Sequence, residues 1–251
     1  MAEINREKLE TLIFAGLKEG YIDSYSFTGE INSIIKPEYL LTVNIAKKIK
    51  ELNDEAHAFG SPLIIKLEEP TRSFATACAP PHENLSLFNT LYREDHNPTR
   101  NGKIDIALYT HTSDAFDKIP YAAIEIKGFI STKAELTQDI IRNLYYLNIK
   151  DKKTGNSRLK HSYLVCIHEH KGAKEESEKK KKIENLEKGY KKYLEKFNTS
   201  KEFDFYIKGD TIAEYLIKDS DQFLPTDILE GIAELAIHYI GILIRTEKKT
   251  K

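Results

Sequence analysis

Two stretches decide how this chain is read: Arg100-Asn-Gly-Lys-Ile-Asp-Ile-Ala-Leu108 and Tyr121-Ala-Ala-Ile-Glu-Ile-Lys-Gly128. In the second, Ile124 and Ile126 alternate with Glu125 and Lys127. Strand side chains alternate between faces, so an acid and an amine lie side by side, opposite the isoleucines. In the first, Asp105 interrupts a run that is otherwise apolar from Ile104 to Leu108. A carboxylate buried there without a partner costs several kcal/mol, which a cation or metal ion offsets. As neighbouring strands, the two would let Asp105 and Glu125 converge on one hard divalent ion. Mg²⁺ commonly binds through one or two carboxylates plus waters and substrate phosphate. Such an ion acidifies a water, polarises a phosphodiester oxygen and stabilises a leaving alkoxide. Lys127 is placed to hold the attacking water or to neutralise charge developing on the phosphorane.

Outward from these strands the pattern is mixed. A helix is expected from Ile4 to Glu19, ending near Gly20, and a second from Lys36 to Asn53, where Leu40, Leu41, Ile45, Ile49 and Leu52 recur at helical spacing. Leu63–Leu67 and Phe74–Ala79 read as short strands, the latter closed by Pro80 and Pro81. Strands follow at Ile104–Tyr109 and Tyr121–Phe129. After them comes a helix over about Lys133–Leu147 with Leu136, Ile140, Ile141, Leu144 and Tyr145 on one broad face. Tyr163–Ile167 is a strand, Glu175–Phe197 a highly charged helix, Phe203–Ile207 a strand, and Thr226–Arg245 a final helix, apolar nearly all round. Strands alternating with helices give an α/β class with a central mixed β-sheet flanked by helices. No linker or repeat divides the chain, so residues 1–251 read as a single domain, with a core at about 36–168 and an extension at about 173–251.

Composition bounds the function. The 251 residues include 38 Lys+Arg against 39 Asp+Glu, a formal charge of -1. That balance excludes a polycationic nucleic-acid coat and a polyacidic tail but says nothing against a nucleic-acid enzyme, for which the local distribution of charge matters. Lys and Arg outnumber Asp and Glu between Asp151 and Ser200, and the order reverses afterwards. Two cysteines, Cys78 and Cys166, are too few for a disulfide framework. They fit buried thiols in a reducing compartment. The charged amino terminus has no apolar run resembling a signal peptide, and no segment suits a membrane span, so a cytoplasmic protein is expected.

The acid, E-x-K and flanking helices resemble the PD-(D/E)XK nuclease superfamily, which includes many restriction endonucleases, resolvases and repair nucleases. Asp105 matches the motif's first acid, Glu125-Ile126-Lys127 its E-x-K, and Ile104 stands where the eponymous Pro would be. The resemblance covers roughly residues 36–168. It implies a restriction-endonuclease-like core, with Glu38 as the auxiliary acid on the helix preceding the first catalytic strand. Gln138 resembles the polar residue that some branches carry on the helix after the E-x-K strand. It further implies Mg²⁺ (or Mn²⁺) held by Asp105, Glu125 and Glu38. The implied activity is an endodeoxyribonuclease serving restriction or another defence against foreign DNA. Arg93, Arg100, Lys103 and Gln138 are the expected substrate contacts. Cleavage of both strands often uses two copies, so a homodimer through the 226–245 helix is expected. The alternatives are a nuclease-like module that binds nucleic acid or protein without cutting, or a nuclease acting on RNA or branched DNA.

Overall fold

The computed structural model describes residues 4–28, 38–56, 63–79, 102–111, 118–129, 132–149, 157–172, 175–198, 201–218 and 234–249. The elements are α1 (Arg6–Thr28), α2 (Glu38–Ala56), β1 (Ile64–Pro70), α3 (Thr71–Cys78), β2 (Lys103–His111) and β3 (Lys118–Phe129). They continue with α4 (Lys133–Asn148), β4 (His161–Lys171), α5 (Glu176–Leu194), β5 (Phe203–Lys218) and β6 (Glu234–Lys248). Among the described residues the strands form one six-stranded sheet in the order β1-β2-β3-β4-β6-β5. Neighbours are antiparallel except β3 and β4, which run parallel and are joined through α4. The chain is therefore α/β, a mixed sheet flanked by helices.

Strand alternation sends two sets of side chains to two helical layers. Ile106, Leu108, Ile124, Ile126 and Val165 pack beneath α1 and α2, against Leu9, Ile13, Leu41 and Ile45. On the other face Ala107, Tyr109 and Ala123 meet Phe74 of α3 and Tyr146 of α4, while Leu164, Cys166, Ile240 and Ile242 meet α4 and α5. No helix among the described residues is long and apolar enough to cross a membrane.

Three expected elements differ. The segment read as a helix at 226–245 is strand β6 over the part that the structure describes, and 226–233 lies outside the described residues. Its apolar run is buried on both sides because alternate residues serve two layers: Ile237, Tyr239 and Leu243 face α1 and α2, whereas Ile240, Ile242 and Ile244 face α4 and α5. β6 lies between β4 and β5, and a strand covered on both faces shows no alternation of polarity. The apolar helix on which the homodimer expectation rested is thus replaced by an interior strand. The second difference is at 74–79, read as a strand: Thr71, Phe74, Ala75 and Cys78 are the buried side of helix α3, a segment too short for its period to show. The third is Gly20, which lies inside α1 and does not end it. A Cβ at Gly16 would stand 2.4 Å from the Ile45 Cα and one at Gly20 2.9 Å from the Leu41 Cα, so both glycines form a notch into which α2 fits.

This notch makes a direct prediction. Gly16→Ala should lower stability by about 1–3 kcal/mol, because the added methyl meets backbone that cannot yield without moving α2. Gly189→Ala, where a Cβ meets nothing within 4 Å, should be neutral or stabilising. Urea denaturation of the two variants checks both signs.

Candidate active site

β2 and β3 pair antiparallel with Ile106 opposite Ile124, so Asp105, one residue before Ile106, and Glu125, one residue after Ile124, stand at the same end of that ladder. The isoleucines turn toward α1 and α2, so the two acids and Lys127 project together toward α4. Helix α4 starts sharply because Thr132 forms a capping box: its hydroxyl accepts the Glu135 N–H at 3.2 Å while the Glu135 carboxylate accepts the Thr132 N–H at 2.9 Å. The face it then lays on the sheet shares Leu136 and Ile140 with the expected one, and Leu144 and Tyr145 pack beside it, but it is rotated away from Ile141. Leu136, Asp139, Ile140, Asn143, Tyr146 and Leu147 are buried, whereas Ile141 is 43% exposed.

Asp139 and Arg142, neither anticipated, complete the cluster. The Arg142 guanidinium donates to Glu125 Oε1 at 2.9 Å and reaches Asp139 Oδ1 at 3.4 Å; the other Asp139 oxygen lies 3.1 Å from Lys127 Nζ. A continuous chain of alternating charge, Glu125–Arg142–Asp139–Lys127, therefore joins β3 to α4. Asp105 lies beside it, with its Oδ2 accepting the Ile126 N–H at 2.6 Å. That bond fixes one carboxylate oxygen of Asp105 against the backbone between Glu125 and Lys127.

Electrostatics follow from burial. Burial pushes the Asp105 carboxyl up to about 6, with Glu68 and Asp139 adding to the rise and the Ile126 N–H and Lys127 opposing it. Glu125, only 2% exposed, is raised as well, first by burial and then by Asp139, against the pull of Arg142. Burial disfavours the Lys127 ammonium, yet Asp139, Glu38 and Asp105 hold its pKa above the ordinary lysine value. The acids around it thus favour the ammonium form of Lys127.

The remaining expected residues divide. Glu38 opens α2 and accepts the Gly128 N–H at 3.3 Å, which brings an exposed acid to the end of β3 beside Lys127. Lys103 is exposed and ion-paired with Glu68 at 3.1 Å, and its carbonyl receives Arg142 at 3.4 Å. Gln138 is exposed, one position before the inward Asp139. Arg93 and Arg100 lie outside the described residues. Glu68 was missed because nothing in its sequence context marks it. It has φ +52° and stands opposite Asp105 in the register of β1 with β2, the one rung of that ladder at which neither residue is paired, and its charge acts on the Asp105 carboxyl. The inward acid Asp139 carried a weak signal, being a polar residue in phase with Leu136 and Ile140 on an otherwise apolar stripe.

The site's acids are oxygen donors that outnumber its cations, a set that suits a hard divalent ion such as Mg²⁺ or Mn²⁺ and not a thiolate- or imidazole-seeking metal. Asp105 and Glu125 are the residues able to hold it, with Glu38 at the rim. Among the described residues no group of three or more His, Cys, Asp or Glu side chains is already gathered around one point. Water and phosphate would supply most of the shell. The chain matches no family model, no curated protein and no solved structure.

Two outcomes follow for the protein without metal. Because folding raises the Asp105 pKa, Asp105 favours the fold at low pH, and that contribution is lost as pH rises from about 4 through about 6. In EDTA, Asp105→Asn should therefore be more stable than wild type above pH 6, by an amount on the order of 2 kcal/mol, and the gap should close toward pH 4. Arg142→Met should cost about 3 kcal/mol or more by leaving Glu125 buried without its partner, and Glu125→Gln added to it should restore much of the loss. Urea midpoints across pH and a double-mutant cycle measure these effects.

Proposed function

We propose that the protein is a divalent-metal-dependent endodeoxyribonuclease with a restriction-endonuclease-like core, acting in restriction or another defence against foreign DNA. The observation that carries this reading is the meeting of Asp105, Glu125 and Lys127 on one sheet face, under a helix that returns two further charges to them. A divalent ion held by Asp105 and Glu125 would acidify a water and withdraw charge from a phosphodiester oxygen.

The protein's own groups account for the rest. Asp139 keeps the Lys127 ammonium charged and aimed along the site, so that a cation stands ready where negative charge accumulates on the phosphorus oxygens. The backbone N–H of Ile126 fixes the Asp105 carboxylate before any ligand arrives. Arg142 compensates Glu125 while no divalent ion is present. Glu38, tied to the Gly128 N–H, sets the rim of the site at the end of β3. The hold of Arg142 on Glu125 also favours a second reading, a nuclease-like module that binds nucleic acid without cutting it.

Incubation with supercoiled, linear and single-stranded DNA, branched DNA and RNA, in Mg²⁺, Mn²⁺ or EDTA, tests the proposal. Wild type should nick or linearise DNA with Mg²⁺ and do nothing in EDTA; Asp105→Asn and Lys127→Ala should each lose about 100-fold or more. Cleavage at wild-type rates by both variants would end this assignment. Binding by wild type with no cleavage of any substrate selects the second reading.

A further inference from the structure

On the flank of α4 away from Asp139 and Arg142 lies a cavity of about 820 Å³, between α4, the end of β4 and α5. This size lies within the range of sites for small organic ligands. We infer that it is a nucleotide-binding pocket, taking an aromatic base that carries phosphate. The inference stands apart from the nuclease reading and uses none of its acids.

The walls are aromatic and fixed. The Tyr190 hydroxyl lies 2.8 Å from His168 Nε2 and 3.2 Å from Cys166 Sγ, which pins the ring against β4. The Tyr193 hydroxyl lies 2.6 Å from Thr137 Oγ1 and clasps α5 to α4 at the mouth. Leu136, Ile167 and Leu186 line the space with apolar surface. Rigid rings above an aliphatic floor suit a flat heterocycle. Asn185 and Glu169, which also line the cavity, offer a donor, an acceptor and a carboxylate to the polar edge of a base or to sugar hydroxyls.

The rim is cationic. Lys133, Lys192 and Lys196 line the cavity, and among the described residues none of the three is ion-paired. By contrast, Lys179 near the other end of α5 is bound to Glu176 and Glu214. A single carboxylate, Glu169, faces these three ammonium groups, so the pocket complements an anion with an apolar ring.

Gly189 supplies an independent observation. It lies in the middle of α5, where glycine is the least favourable residue after proline. A Cβ there would meet nothing within 4 Å, so no packing requires a glycine. Gly189 lines the cavity on the same side of the helix as Asn185, Lys192 and Lys196, and its missing side chain leaves room for a ligand to lie against the helix.

A free nucleotide and a nucleotide of a single-stranded chain share this chemistry, and the test separates them. Calorimetry with ATP, GTP and AMP, and fluorescence anisotropy with a labelled single-stranded oligonucleotide, are both run in EDTA on the full chain. Saturable binding of a mononucleotide indicates a free ligand; saturable binding of the oligonucleotide alone indicates a strand. In either case Gly189→Leu and the Lys192→Glu, Lys196→Glu pair should each weaken binding at least about tenfold, with melting temperatures near wild type. Asp105→Asn should bind as wild type does, whatever becomes of cleavage. Binding of none of these probes, or binding unchanged in both pocket variants, overturns the inference.

Discussion

The burial of Glu125 is the constraint around which this half of the molecule is arranged. A carboxylate that is 2% exposed must be compensated, and the compensation comes from Arg142 on a different element. Arg142 in turn needs Asp139, and Asp139 carries Lys127. The chain of charges therefore fixes both the rotation of α4 and its seating on the sheet. The apolar residues Leu136, Ile140, Tyr146 and Leu147 seat α4 the same way. Rolling the helix would also leave Glu125 buried without its partner, a loss of several kcal/mol. Replacing such pairs with well-packed apolar residues is often neutral or stabilising, so their presence points to a use beyond stability.

The same constraint explains what was legible in the sequence. β2, β3 and the extent of α4 could be read because strand alternation and helical spacing are local patterns. Asp105, Glu125 and Lys127 could be read because charge in an apolar strand is conspicuous. The inner face of α4 was legible at Leu136 and Ile140 but not at Asp139 and Asn143, which occupy inward positions while Ile141 is outward. At Asp139 it is tertiary charge pairing, which no local period records, that sets the residue inward. β6 failed for the opposite reason: Ile237 to Ile244 is apolar at nearly every position because it serves two layers at once, and a uniform run has no period to measure. Gly20 failed because a glycine's meaning lies in its neighbour, here the Leu41 backbone, and not in its own helix.

The parallel pair β3 and β4 gives the fold its polarity. Lys127 pairs with Cys166 and Phe129 with Ile167, so β3 ends near the start of α4 while β4 runs on to Lys171 beside β6. Openings at the carboxyl ends of parallel strands are favoured ligand sites, because the loops there diverge. α4 divides this end of the molecule in two. The acids of β2 and β3 lie on one side of it, and the pocket lined by Lys133, Tyr190 and Lys192 on the other.

That division gives the formal charge of -1 a physical meaning. An acid-rich cluster would repel a phosphate backbone until a divalent ion reversed the sign of the local field, while the lysines that line the cavity beside α5 would attract phosphate with or without metal. On the proposed reading, anion capture and metal-dependent chemistry would thus be separate events on opposite flanks of one helix. Salt would weaken the first, since exposed lysines are screened within about 8 Å at physiological ionic strength. The second would be far less sensitive, because Glu125 and Asp139 are shielded from solvent by α4 itself.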